Sequence, residues 1–457
     1  MHKRLPLVIA VLVAVGLMSA PALAQFKPWS GSSVVSDPEW QKRFLGSYGF
    51  LSGAEPDIRP SELEVLKEVI DLMKVNPRAA AAMLEQTTSG DSSAAVDFIL
   101  ANLQFQNGDL PAAEASYERA LGKFPDFRRA HKNLGLLRVQ KNDLAGATGH
   151  LTRAIELGDR DGKTYGLLGY CYVNLENYVA AESAYRNAVL AEPDTRDWQL
   201  GLARALLAME QHKEAAALFS ALIEKDPENG TYWMLQANAF LGLNEPLKAA
   251  VNLEAARLLG KADIQSLILL GDIYMNEGNA DLARDAYLEV VEMDGKAAHF
   301  RAAQRAAQLL VRVGANADAA ALVRSIEARY AKRLDTDQQL ELMTLQAKLA
   351  RAQGRPGDAA KILETIVQRD GTRGEALLEL ARYHRDVGHK QKAILMRERA
   401  RNLEDFEYAA LVEQAQFEVA DRDYTSAASL LRQATRIKSE PRVERFLAQV
   451  EEAARRN

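Results

Sequence analysis

Small and bulky apolar positions recur along this chain with a fixed period. Ala113, Ala147, Ala181, Ala215, Ala249 and Ala283 stand 34 residues apart. Four residues after each comes a bulky side chain: Tyr117, Leu151, Tyr185, Phe219, Leu253 and Tyr287. Twelve residues before each stands another small one: Ala101, Gly135, Gly169, Ala203, Ala237 and Gly271. Apolar positions fall at helical spacing in both halves of each window, which predicts two amphipathic helices per period. Asn107-Gly108-Asp109, Glu176-Asn177 and Gly278-Asn279 lie between the halves, where a turn accommodates positive φ. Pro125, Pro193 and Pro227 close second halves, because proline cannot continue a helix. A small residue such as Gly169 lets two helices approach, with Tyr185 filling the space beside Ala181.

The frame gives windows starting at 94, 128, 162, 196, 230 and 264, then at 300, 340, 374 and 408. Irregularities fall at Ala298–His299 and Leu334–Gln339, while Ala319, Ala359, Ala393 and Ala427 keep the small position. Backwards, Pro60–Ser93 fits a degenerate window with Asn76-Pro77 at its turn and Ala79 in the small position. Residues 442–457, rich in charge, predict a helix that closes the last apolar face.

These residues and their spacing resemble the tetratricopeptide repeat (TPR) family, over 60–441. The resemblance implies an all-α fold: a right-handed TPR solenoid, or superhelix, of about eleven helix–turn–helix units with a C-terminal capping helix. It replaces the roughly three globules that 457 residues would suggest. The expected organisation is a degenerate unit at 60–93, six regular units at 94–297, four more with small insertions at 298–441, and a cap at 442–457.

The resemblance also implies that first helices line a concave groove suited to an extended peptide or a partner's helix. Carried over position by position, the early groove holds Phe98, Asn102, Phe105, Lys132, Leu136, Val139, Lys163, Tyr170 and Asn174. Arg204, Met234, Asn238, Ile268, Asp272 and Asn276 follow. The late groove holds Arg301, Gln308, Arg312, Lys348, Arg351, Arg382 and Arg385, a candidate site for acidic partners. Some members of the family clamp a peptide's C-terminal carboxylate with five Lys, Asn and Arg positions. Asn102, Asn133 and Lys163 match three of these, but Phe98 and Leu167 stand where basic residues belong. A general groove of other specificity is therefore the expectation, with an unused solvated face as the bland alternative.

Residues 1–24 are of another kind. Lys3 and Arg4 precede a run from Leu5 to Met18 that is almost wholly apolar, and Ala22-Leu23-Ala24 follows. This is the layout of a cleavable secretory signal, with cleavage expected at Ala24-Gln25. The run of about 14 residues is short for a membrane span, which needs about 20; a retained anchor is the alternative. No cysteine follows to take a lipid, so the expected product is exported and periplasmic. Residues 25–59 form an aromatic arm carrying Phe26, Trp29, Trp40, Phe44, Tyr48 and Phe50 among Gly, Pro and Ser. Such rings need burial, on the first repeats or on another protein. Phe44–Asp57, with the helix expected at Ser61–Val75, resembles the start of TPR proteins that accompany TonB-type energy-transduction systems.

Charge and chemistry narrow the function. The chain carries 57 basic and 62 acidic residues, which does not suit a coat on nucleic acid. Residues 25–299 hold 27 basic and 39 acidic side chains, and residues 300–457 hold 28 and 23. The two parts could meet different partners, or the difference is ordinary variation on solvated faces. A single cysteine, Cys171, excludes disulfide frameworks and Cys-based zinc sites, and it reads as a small buried thiol. There is no His-Glu-x-x-His, no phosphate-cradling Gly-rich loop and no Gly-x-Ser-x-Gly elbow, and His384 and His389 are five apart. The expectation is a non-enzyme without cofactor or metal, binding protein or peptide partners of a bacterial envelope through its groove. An accessory of a TonB-type system, a factor for polysaccharide export or outer-membrane biogenesis, and a glycan- or peptidoglycan-binding module remain open. Oligomeric state is not legible.

Overall fold

The computed structural model describes residues 55–456, so the signal and all but the last residues of the aromatic arm lie outside the described residues. Those described form 23 α-helices and one 3-10 turn, Pro60–Glu62, with no strand among them. Contacts divide them into two compact units at Ala249/Ala250.

In the first unit helices pack in pairs. α1 (Leu63–Val75) lies on α2 (Pro77–Thr87), and α3 (Ala94–Gln106) lies on α4 (Leu110–Lys123). Next come α5 (Arg128–Gln140) on α6 (Leu144–Glu156), α7 (Gly162–Asn174) on α8 (Tyr178–Ala191), and α9 (Arg196–Ala208) on α10 (His212–Lys225). α11 (Gly230–Gly242) follows, and the division falls within α12 (Pro246–Leu258). The second unit pairs α13 (Ile264–Asn276) with α14 (Ala280–Met293), and α15 (Phe300–Arg312) with α16 (Asn316–Tyr330). It continues with α17 (Thr336–Ala352) on α18 (Pro356–Arg369), α19 (Gly374–Asp386) on α20 (Lys390–Arg401), and α21 (Glu404–Ala420) on α22 (Tyr424–Ile437). α23 (Pro441–Arg456) covers α22 and buries Val443 and Val450 in the last core cluster.

The turn within each pair explains the period. Gly108, Asn142, Glu176, Glu210, Asn244 and Gly278 all have positive φ and stand 34 residues apart. The residue that follows is often an N-cap: Asp109, Asp143 and Asn177 accept from the N–H groups of Ala112, Gly146 and Ala180. One left-handed residue reverses the chain, and the next satisfies an open donor of the new helix.

Side-chain size sets the spacing between helices. Tyr185 on α8 is buried, and its ring fills the gap that two glycines leave. A Cβ on Gly169 of α7 would come within 2.9 Å of that ring, and one on Gly201 of α9 within 2.3 Å. The same ring therefore fixes the contact inside its own pair and with the next first helix.

Where the period slips, local hydrogen bonds account for the change. Asp294 is buried and accepts from His299 N–H at 2.7 Å, Lys296 N–H at 3.2 Å and Tyr330 Oη–H at 3.1 Å, which organises the insertion at 298–299. Burial works against its charge, but these donors hold the carboxyl below its usual range. The second irregularity is helix, where the sequence pattern placed an insertion. Asp335 and Gln338 form a capping box, so α17 begins at Thr336 and runs 17 residues. α21 also has 17 residues, starting at Glu404 rather than 408.

Candidate partner-binding faces

Residues at i, i+3, i+7 and i+10 share one face of a helix. On α5 these are Arg129, Lys132, Leu136 and Val139; we call this face of each first helix the inner face.

In the first unit the inner face is largely spent on internal contacts. Phe98 is fully buried, its ring 4.7 Å from that of Phe127 and 6.0 Å from Tyr117, with the Arg129 guanidinium 5.1 Å away. Asn102 is buried and its Oδ1 accepts from Tyr117 Oη–H at 2.5 Å and from Asn133 Nδ2–H at 2.9 Å. Phe105 and Asn133 are buried too. All four were expected to face a ligand; Asn102 and Asn133 instead serve the Tyr117 hydroxyl, which needs an acceptor in the interior, and Phe98 and Phe105 present no exposed ring. Lys132 is drawn to Asp161 at 2.6 Å and lies 3.9 Å from Asp159. Of the clamp positions, Lys163 keeps a half-exposed side chain, while the two asparagines face each other. Tyr170, Asn174, Arg204 and Asn238 are half-buried, and Asn174 donates to the Tyr170 carbonyl at 2.8 Å. Burial pulls the Arg204 guanidinium below its ordinary range.

In the second unit the same face is open and charged. Arg301, Gln304, Gln308, Glu341, Thr344 and Lys348 line a cavity of about 590 Å³ with Glu375 and Phe406. An adjoining one of about 480 Å³ adds Val311, Arg312, Arg351 and Glu379. The basic residues that sequence reasoning placed here do come together, but carboxylates come with them. Lys348 pairs with Glu375 at 2.7 Å, Arg351 with Glu379, and Arg382 with Glu379 at 2.7 Å and Glu413 at 2.9 Å. Arg385 stacks on Phe417, its guanidinium carbon 3.9 Å from the ring centre. The face is thus an alternation of paired charges and amides rather than a basic strip. Arg301 and Arg312 remain exposed. Glu341, Glu375 and Glu379 were legible as charged positions, but their pairing depends on the neighbouring helix. Glu413 is buried, and burial raises its carboxyl above the usual range despite Arg382.

Other reactive groups are quiet. Burial pushes the Cys171 thiol up to about 12. His131 Nε2–H donates to the Pro125 carbonyl at 2.8 Å, which leaves Nδ1 bare to accept from His150 Nδ1–H at 3.0 Å. Burial lowers both imidazoles, His150 to about 4. Among the described residues no group of three or more His, Cys, Asp or Glu side chains could hold a metal ion. No described helix is long and apolar enough to cross a membrane.

Known proteins share the repeat. Family patterns described as tetratricopeptide repeat match residues 98–162, 175–239, 264–296 and 344–398. Cellulose synthase operon protein C of Xanthomonas axonopodis pv. citri (strain 306) is 27% identical over 281 residues, covering 57% of this chain and 18% of that protein. Superkiller complex protein 3 of Mus musculus is 25% identical over 227 residues, 48% of this chain and 14% of its own length. The chain thus spans less than a fifth of either relative. Among solved structures, YrrB, described as a TPR protein with an unusual peptide-binding site, is 22% identical with a TM-score of 0.39, covering 41% of this chain and 96% of its own. Naa15/Naa10 bound to HypK-THB is 13% identical with a TM-score of 0.38, covering 81% and 68%.

Proposed function

From the premise that the chain is built of tetratricopeptide repeats, we propose that it is a non-catalytic scaffold of the bacterial envelope that binds partner polypeptides on its inner faces. One observation carries this reading: the second unit's open face, where two adjoining cavities of about 590 and 480 Å³ are lined by amides, hydroxyls and paired charges. Gln304, Gln308 and Thr344 offer donors and acceptors of the kind a peptide backbone needs, and neighbouring carboxylates balance the cations around them. Such a face favours a polypeptide of mixed charge over a strongly acidic one.

The exported setting rests on the charged, apolar and small-residue layout of residues 1–24. Two pathways stand behind it. The likeness to cellulose synthase operon protein C supports an accessory role in polysaccharide export. The likeness of Phe44–Asp57 to TPR proteins beside TonB-type systems supports a role in energy transduction. An animal protein is 25% identical over 227 residues, so likeness of the repeat does not choose between them.

Photo-crosslinking in living cells from Gln308 and Lys348 tests the reading. Envelope proteins of one machinery should be captured from both positions, and capture from Lys348 should be lost in a Gln308→Ala/Thr344→Ala chain. Glycan without protein, or capture of nothing from either position, overturns the scaffold.

A further inference from the structure

We propose that the aromatic segment 25–54 of this same chain lies along the inner face of the first unit and occupies it. The argument begins with a difference between equivalent positions. At the twelfth residue of the first helices of the first unit, Phe105, Val139 and Leu207 are buried, while Val173 and Leu241 are half-exposed. Met275 and Val311 hold the matching positions in the second unit, at the same offset from their helix starts, and both are half-exposed. Their chemistry is the same, and each first helix packs on a second helix in the same way. Pair packing alone therefore leaves this position partly open, and α3, α5 and α9 have additional cover.

The chain shows where that cover comes from. It enters the described residues at Glu55, with Glu55 and Pro56 both buried. The Glu55 carboxylate pairs with Arg129, Nη2 to Oε2 at 2.7 Å and Nε to Oε1 at 2.5 Å. Its side chain is only 3% exposed. Arg129 stands on the inner face of α5, one helical turn from Lys132, and its guanidinium reaches over Phe98. The chain is thus fixed on that face at its first described residue.

What precedes Glu55 is suited to the site. Residues 25–54 carry six aromatic side chains, about three times the density of the whole chain, which is 7% aromatic. Rings of this kind are the anchors that fill apolar grooves. Thirty extended residues reach about 100 Å. First helices spaced about 10 Å apart from α3 to α11 need less than half of that. The segment competes with any outside ligand for the first unit and leaves the second unit free. This assignment does not rest on the scaffold reading, and the two fail separately.

The test uses the whole chain with a photo-crosslinking residue at Trp40 or Phe44. Crosslinks within one molecule to α3, α5, α7 or α9 are expected. Crosslinks between copies, to second helices only, or to nothing overturn the assignment. Thiol labelling gives an independent measure in a Cys171→Ser background. Removing residues 25–54 should speed labelling of Val139→Cys and Leu207→Cys at least tenfold, with Val311→Cys unchanged, and a synthetic 25–54 peptide should slow it again. Equal rates at Val139 with and without the segment, in a chain whose helix content is intact, overturn it.

Discussion

Val139 and Val311 occupy the same place in their helix pairs, twelfth along a first helix, yet only Val139 is buried. Around Val139 the inner face is apolar and amide-lined: Phe105, Leu136, and the Asn102–Asn133 pair that serves the Tyr117 hydroxyl. Around Val311 it is built of Gln308, Arg312, Lys348 and Arg351, with glutamates across the next helix. One repeat design thus gives a face that is closed and a face that remains available. The difference arises in what surrounds and covers each inner position, not in how the helices pair.

The largest effect should come from truncating the closed face. Leu136→Ala should cost about 2–5 kcal/mol, while Val311→Ala should cost less than about 1 kcal/mol; chemical denaturation of both variants checks it. Equal costs would erase the distinction between the faces. Removal of residues 25–54 should shrink the Leu136→Ala cost, which sharpens the comparison by showing how much of the burial the segment provides.

A smaller effect is expected in the charged face. Arg382→Ala leaves the buried Glu413 carboxylate without its ion-pair partner at 2.9 Å. Because Arg382 is itself partly exposed, the loss should be about 2 kcal/mol rather than the full value for a buried pair. Adding Glu413→Gln should return most of it, measured by the same unfolding titration.

How much of this was readable beforehand divides along the same line. The period located each first helix of the regular repeats, because a 34-residue spacing of small residues requires one packing geometry throughout. It also put a turn at Glu176, although glutamate disfavours positive φ; position outweighed residue type. The period could not show what lies opposite a side chain. Phe98 and Asn102 were assigned to a ligand because their offset names a face, whereas their burial depends on Phe127, Arg129 and Tyr117 from other elements. The extra turn of α17 was missed because Asp335 and Gln338 act as a pair of caps, a local signal outside the repeat pattern.

The smallest expected effect concerns acid. His150 titrates near 4 in the folded chain and His131 is also depressed, against about 6.5 unfolded. The unfolded chain then binds more protons between about 6.5 and 4, so this contribution is present above that window and is lost as pH falls through it. The part-exposed site limits the size to about 2 °C in melting temperature between pH 7 and 5. His150→Gln should flatten that slope, and an unchanged slope would remove the pair from the account.

The Tyr185 ring between Gly169 and Gly201 carries a consequence for how such a gene can change length. A loss of one complete period that begins between Tyr185 and Gly201 would keep the helices in register but set Leu235 where Gly201 stands. A Cβ at that place already comes within 2.3 Å of the ring, so the shortened product would need a smaller side chain at 185 as well. Growth and shrinkage of this gene therefore call for paired changes, one in length and one in the size of a side chain.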